Sequence, residues 1–178
     1  MENPSNDNPD ASINLGPAVF NVWVGNRGIS RLLLPSLENA IKGRRKDIVD
    51  VSINRKLGLE ESRWVSDAVA FLESIFAGRQ PSVFPLTEVR GQTVFTIRVL
   101  ESVIGISWGQ TVSYKWVAGR MGRPNAARAV GQALGRNQVP LIIPCHRVIK
   151  EDGSIGGFGL GTDWKKWLLE LERGGKGL

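Results

Sequence analysis

The period of the apolar residues changes part-way along the chain, and that change limits the folds open to it. Between residues 18 and 34 the pattern alternates: Val19, Asn21, Val22 and Val24 lead into Gly25-Asn26-Arg27-Gly28, and Ile29, Leu32, Leu33 and Leu34 follow. Two apolar runs around a Gly/Asn turn predict a β-hairpin. Ile48-Val49-Asp50-Val51-Ser52-Ile53 predicts a further strand. From Leu59 the spacing becomes helical, with Val65, Val69, Leu72, Ile75 and Phe76 recurring near 3.6 residues until Gly78 stops the run. Helical spacing returns over 93–104 (Phe95, Ile97, Val99, Leu100, Val103). Two short helices are then expected: 114–121 behind Ser113 as its N-cap, and 125–136, parted by Gly122-Arg123-Pro124. Strands followed by helices make an α+β chain.

The 178 residues are enough to bury a core. Residues 1–16 are mainly Asn, Pro, Asp and Ser with little to bury, and are expected to form a disordered tail. Pro81 and Pro85 mark a linker-like segment. The expected organisation is therefore a tail (1–16), a small α+β unit (17–88) and a mostly helical unit (89–178).

One cysteine, Cys145, stands next to the one histidine, His146. A lone cysteine excludes an intramolecular disulfide scaffold. Adjacent Cys and His cannot supply the three or four ligands zinc needs without several carboxylates, so a structural zinc site is not expected. No apolar run reaches the roughly 18 residues that span a bilayer. The opening residues lack the basic-then-apolar order of a secretory signal. The expectation is an intracellular, cytoplasmic protein without a membrane partner.

Charge is distributed unevenly. Between Glu101 and Glu151 there is no Asp or Glu, while Lys115, Arg120, Arg123, Arg128, Arg136, Arg147 and Lys150 add seven positive charges to a chain whose net charge is +6. A solvated face usually mixes signs; a phosphate backbone rewards one-sided charge through counterion release. Helix, Gly-bearing turn, helix is also the outline of a helix-turn-helix, although an ordinary αα-hairpin is the commoner object. The second of these helices, Asn125-Ala126-Ala127-Arg128-Ala129-Val130-Gly131, carries small side chains and one long cation. Small residues let a backbone approach a groove floor closely. Taken alone they also read as ordinary helix formers with a solvated arginine.

The chemistry lies in Val139-Pro140-Leu141-Ile142-Ile143-Pro144-Cys145-His146-Arg147-Val148-Ile149, read as a buried apolar strand and a proline leading to the thiol. A reactive cysteine acts as thiolate, and cationic or basic neighbours favour that form. Adjacent strand residues face opposite sides, so His146 is expected to reach Cys145 through a turn or a water. Free cysteines are usually buried and inert; here Pro, His and Arg flank the sulfur.

A chance match to Pro144-Cys145-His146-Arg147 in a chain of this length is on the order of one in a thousand. With Trp108-Gly109-Gln110-Thr111-Val112-Ser113-Tyr114, the Asn125 to Gly131 run, Asn137, Trp167-Leu168-Leu169 and Glu172, the stretch from about 105 to 172 resembles the O6-alkylguanine-DNA alkyltransferases, or methylated-DNA–protein-cysteine methyltransferases. The resemblance implies an RNase H-like N-terminal domain and a C-terminal domain with a winged helix-turn-helix. It implies a monomer that uses no metal and no cofactor and binds double-stranded DNA bearing O6-alkylguanine from the minor groove. Cys145 would take the alkyl group from O6 of guanine, and from O4 of thymine, once and irreversibly, after base flipping. His146 would draw the thiol proton through a water, Glu172 would orient the imidazole, and Asn137 would bridge the recognition helix and the reactive segment. Arg128 would fill the gap left by the flipped base, with Ala126, Ala127, Ala129, Gly131 and Ser113 against DNA. Tyr114 would press on the neighbouring phosphate and donate a proton to the leaving guanine. Trp108, Arg147, Val148, Phe158 and Gly159 would line the base pocket.

Phe158 stands where the family usually has tyrosine, and Gly159 where it often has a hydroxyl residue; ring stacking survives and a lid hydrogen bond is lost. The loop 153–161 holds five glycines, which argues for a mobile lid that tolerates bulkier alkyl groups. No residues match the zinc ligands some relatives carry. Two other classes fit parts of the pattern. One is a damage sensor that flips the base without repair, but such relatives lack the reactive cysteine. The other is a helix-turn-helix regulator with an inert cysteine, for which this helix offers few base-reading side chains beyond Arg128, Asn125 and Gln132.

Overall fold

The computed structural model describes residues 8–43 and 49–174. The chain divides into two compact units, Met1–Ala77 with Pro81–Glu88, and Gly78–Gln80 with Val89–Leu178. Among the described residues, six α-helices and a small antiparallel sheet make it a mixed α/β protein.

The first unit is built on strands β1 (Ala11–Leu15), β2 (Ala18–Val24), β3 (Ile29–Leu33) and β4 (Val49–Ile53), ordered β3-β2-β1-β4 with every pairing antiparallel. The tail expected over 1–16 is corrected here: residues 11–15 are an interior strand, paired on both edges. Ala11, Ile13 and Leu15 are buried and alternate with Ser12 and Asn14, a two-residue period that the surrounding Asn, Pro and Asp obscure. Residues 1–7 lie outside the described set.

Helices α1 (Leu37–Gly43) and α2 (Leu59–Phe76) complete this unit. α2 buries Val65, Ala68, Phe71, Leu72, Ile75 and Phe76. Phe76 meets Phe20 of β2 edge to face, with ring centroids 5.1 Å apart. The segment 81–88 returns to the sheet, where Ile29 N–H donates to Leu86 O (2.7 Å) and Glu88 N–H to Ile29 O (2.9 Å). Gly28 permits that approach. Its φ is 145°, and a Cβ there would stand 2.5 Å from the Leu86 carbonyl.

The second unit holds α3 (Val94–Ile104), β5 (Val112–Ser113), α4 (Tyr114–Arg120), α5 (Ala127–Leu134), β6 (Val148–Ile149) and α6 (Thr162–Glu172). Thr93 caps α3 by accepting from Thr96 N–H (3.2 Å), and Ser113 caps α4 by accepting from Trp116 N–H (3.0 Å). α5 packs on α3 and α4 through Val130, Ala133 and Leu134, which leaves Arg128, Ala129 and Gln132 exposed. β5 and β6 pair in parallel, Val112 opposite Val148 and Ser113 opposite Ile149. Val99, Leu100, Val103, Val117, Trp167, Leu168 and Leu171 are fully buried in this unit's core. Among the described residues no helix is long and apolar enough to cross a membrane.

Candidate active site

The apolar run before the thiol is not the strand its composition suggests. Residues 139–144 form a buried turn in which Ile143 N–H returns to Val139 O (3.0 Å) and Leu141 adopts φ 71°. Pro140 and Pro144 lack the N–H a ladder requires, so the backbone closes on itself. The chain then winds into a short 3-10 turn, Cys145–Arg147. Cys145, 5% exposed, donates its backbone N–H to Ile143 O (2.8 Å).

Asn137 holds this turn from the end of α5. Its Nδ2 donates to Ile143 O (2.9 Å) and lies 3.1 Å from Cys145 Sγ, while its Oδ1 accepts from Val139 N–H (3.0 Å). One amide side chain thereby fixes the backbone beneath the sulfur and presents a donor to the sulfur itself. Burial pushes the Cys145 thiol up; the Asn137 donor and the charge of Lys165 oppose it. The thiol is therefore protonated at rest, and its nucleophilic form requires a base.

A candidate for that base sits on the same turn. His146 is buried, and its Nε2 lies 2.8 Å from Glu172 Oε1 of α6. Glu172 also receives Arg147 (Nε to Oε2, 2.9 Å; a second terminal N to Oε1, 2.9 Å) and the Gly109 N–H (3.1 Å). Burial alone would raise the Glu172 carboxyl. The hydrogen bonds from His146 and Arg147 outweigh it and hold the group at about 2. Burial keeps His146 low, against the pull of Glu172. The carboxylate is thus matched by the Arg147 cation, and His146 is neutral. A carboxylate only accepts, so Nε2 carries the imidazole proton and Nδ1 is the free acceptor. Nδ1 is buried without a hydrogen-bond partner among the described residues.

The sulfur reaches the wall of a cavity of about 1020 Å³. Ala127, Arg128 and Gly131 of α5 form one side, and Gly156, Gly157, Phe158 and Gly159 another. Tyr114 and the cations Lys115 and Lys150 complete the parts that bear on chemistry.

Residues 94–174 match the family model described as the DNA-binding domain of 6-O-methylguanine DNA methyltransferase. The methylated-DNA–protein-cysteine methyltransferase of Methanosarcina barkeri is 40% identical over 114 residues, which cover 64% of this chain and 72% of that protein. The chain belongs to this methyltransferase family. The enzyme of the same name from Mycobacterium tuberculosis is 41% identical over 118 residues, 63% of this chain and 71% of its own. The crystal structure of the M. tuberculosis O6-methylguanine methyltransferase superposes with a TM-score of 0.61 at 31% identity, covering 90% of this chain and 88% of that one. M. tuberculosis OGT in complex with DNA gives 0.57 at 43% identity over 61% and 67%.

Against the methyltransferase pattern, the structure pairs Asn137 with Cys145 and His146 with Glu172 on either side of one turn, and puts Tyr114, Arg128, Ala127, Gly131, Phe158 and Gly159 on the cavity wall. Ala126, the N-cap of α5, Ala129 on α5 and Ser113, the N-cap of α4, do not line the cavity but adjoin residues that do. Trp108, Arg147 and Val148, expected to line the base pocket, do not line the cavity. The Arg147 guanidinium is taken up by Glu172 and Ile106 O (2.6 Å), with the Trp108 ring 5.8 Å from it; Val148 is fully buried in β6.

One residue in contact with this site escaped the sequence reading. Lys165 of α6 is fully buried, and its ammonium donates to Val148 O (2.7 Å), Gly157 O (3.2 Å) and Tyr114 Oη (3.3 Å). Burial lowers it to about 8, with the sulfur's negative form pulling the other way. It ties the glycine-rich loop to Tyr114. Burial, then the proximity of the sulfur's negative form, raises the Tyr114 phenol, so it remains a donor. Gly156, at φ 71°, leaves room for that ring, because a Cβ there would stand 2.9 Å from Tyr114 Oη.

Proposed function

We propose that this family member repairs DNA by removing alkyl groups from O6 of guanine, and from O4 of thymine, in a duplex. The supporting observation is a sulfur that reaches a large cavity, takes the Asn137 amide as donor, and lies on the same turn as a His146–Glu172 pair whose Nδ1 is an unoccupied acceptor. The second unit acts as a winged helix-turn-helix, with α4 and α5 as the pair, and the first is RNase H-like. The duplex meets α5 through its minor groove, where Ala126, Ala127, Ala129 and Gly131 let the backbone approach and Arg128 fills the gap of a nucleotide turned into the cavity. Flipping is required, because O6 lies within the base stack and the sulfur must approach the alkyl carbon in line. The protein works as a monomer.

In the reaction His146 Nδ1 receives the thiol proton through a water, Glu172 stabilises the imidazolium, and Asn137 and Lys165 favour the thiolate. Sulfur attacks the alkyl carbon and the carbon–O6 bond breaks. The guanine takes its proton from Tyr114, whose phenol the neighbouring Lys165 resupplies. None of these groups can open the resulting thioether, so each molecule acts once. A duplex carrying O6-methylguanine should be restored to guanine in a one-to-one ratio with protein, and Cys145→Ala should restore none. More than one repair per molecule would overturn the proposal.

A further inference from the structure

Among the described residues of the cavity wall, Glu151 is the one carboxylate, standing with Lys115, Arg128 and Lys150. It is not idle. Ser113 Oγ lies 3.2 Å from Glu151 Oε2, and Lys115 Nζ 3.9 Å from Glu151 Oε1. The Ser113 oxygen already accepts from Trp116 N–H, so its single proton is directed to the carboxylate. A hydroxyl proton and an ammonium side by side are donors that a backbone phosphate takes at protein–DNA interfaces. In the free protein a carboxylate holds both. Their side chains are largely exposed, 68% for Lys115 and 63% for Glu151, so the pair contributes little to folding.

We propose that Glu151 is an anionic placeholder: it occupies Ser113 and Lys115 in the free protein, and a DNA phosphate must displace it to bind there. The placeholder weakens duplex binding and makes it less dependent on salt, which limits attachment to undamaged DNA. The inference rests on the DNA-repair reading above, but it concerns a different group of atoms.

The test is binding of an unmodified duplex, followed by fluorescence anisotropy across a salt series. Glu151→Gln should tighten binding about three- to tenfold at low salt, as expected for removing one like charge a few ångströms from a phosphate. The log–log salt slope should steepen by up to about 0.9. Asp152→Asn is the control: Asp152 is the adjacent exposed carboxylate, and its Oδ1 accepts from Ser154 N–H (2.9 Å) within its own turn. It should change binding less than twofold. In a Lys115→Gln background the gain from Glu151→Gln should fall by more than half. Equal gains in Glu151→Gln and Asp152→Asn, an undiminished gain without Lys115, or no tightening at all would each overturn the placeholder. Methyl transfer by the unaltered protein, measured alongside on a damaged duplex, separates this failure from failure of the repair reading.

Discussion

Replacing Glu172 by Gln separates what this carboxylate does for folding from what it does for the thiol. The substitution keeps the shape and removes the charge. It leaves the Arg147 guanidinium, with a side chain 8% exposed, facing a neutral amide with Ile106 O as its remaining carbonyl partner. Breaking a buried pair in this way costs about 3–5 kcal/mol, a large share of the roughly 5–15 kcal/mol that holds a domain together. The amide also alters His146. Its NH2 donates to Nε2, which moves the imidazole proton to Nδ1 and removes the acceptor the thiol needs. Loss of a general base costs about 10²- to 10⁴-fold. Urea unfolding and single-turnover methyl transfer at low temperature, where the variant stays folded, measure the two effects apart. The double variant Arg147→Met/Glu172→Gln should recover most of the stability, since neither member of this buried pair is left charged without its partner, yet stay at least about a hundredfold slow. A double variant that regains its rate along with its stability would show that Glu172 serves the fold alone.

Three further outcomes follow from the same geometry. Arg128→Ala should slow transfer from duplex DNA about tenfold or more and reduce labelling by the free base O6-benzylguanine much less; equal losses would remove Arg128 from base flipping. The open, glycine-rich wall around Phe158 and Gly159 should admit a benzyl group, so single-turnover transfer from O6-benzylguanine in DNA should exceed about a hundredth of the methyl rate. Stability should fall in acid. Glu172 is held at about 2 when folded, below its unfolded value, so its contribution is present in full above the ordinary carboxylate range and lost as pH drops toward 2. The depressed His146 acts with the same sign, and Glu172→Gln should flatten the acid limb of a urea-midpoint profile.

Much of the site was legible because its chemistry is contiguous or repeats at helical spacing. Cys145, His146 and Arg147 are neighbours, and Arg128 stands out among small residues. The misses share a cause, which is that local composition pointed one way and tertiary context another. Residues 11–15 read as polar tail because Asn, Pro and Asp surround them, yet Ala11, Ile13 and Leu15 complete the sheet. The run 139–144 read as a strand because it is apolar, but two prolines and Leu141 at positive φ turn it. Lys165 stands next to Lys166, and nothing local distinguishes it from a solvated lysine. Its spacing carried the signal, since positions 165, 168, 169 and 172 share one helix face and place Lys165 and Glu172 in a stripe with Leu168 and Leu169. Arg147 read as a pocket cation because sequence does not show that Glu172 needs a full countercharge.

The most direct test of the account is peptide-resolved mass spectrometry after incubation with an O6-methylguanine duplex. The account predicts one added CH2 per molecule, carried by Cys145 and stable to prolonged incubation. Methyl found on another residue, or an unmodified Cys145 beside repaired DNA, would contradict it.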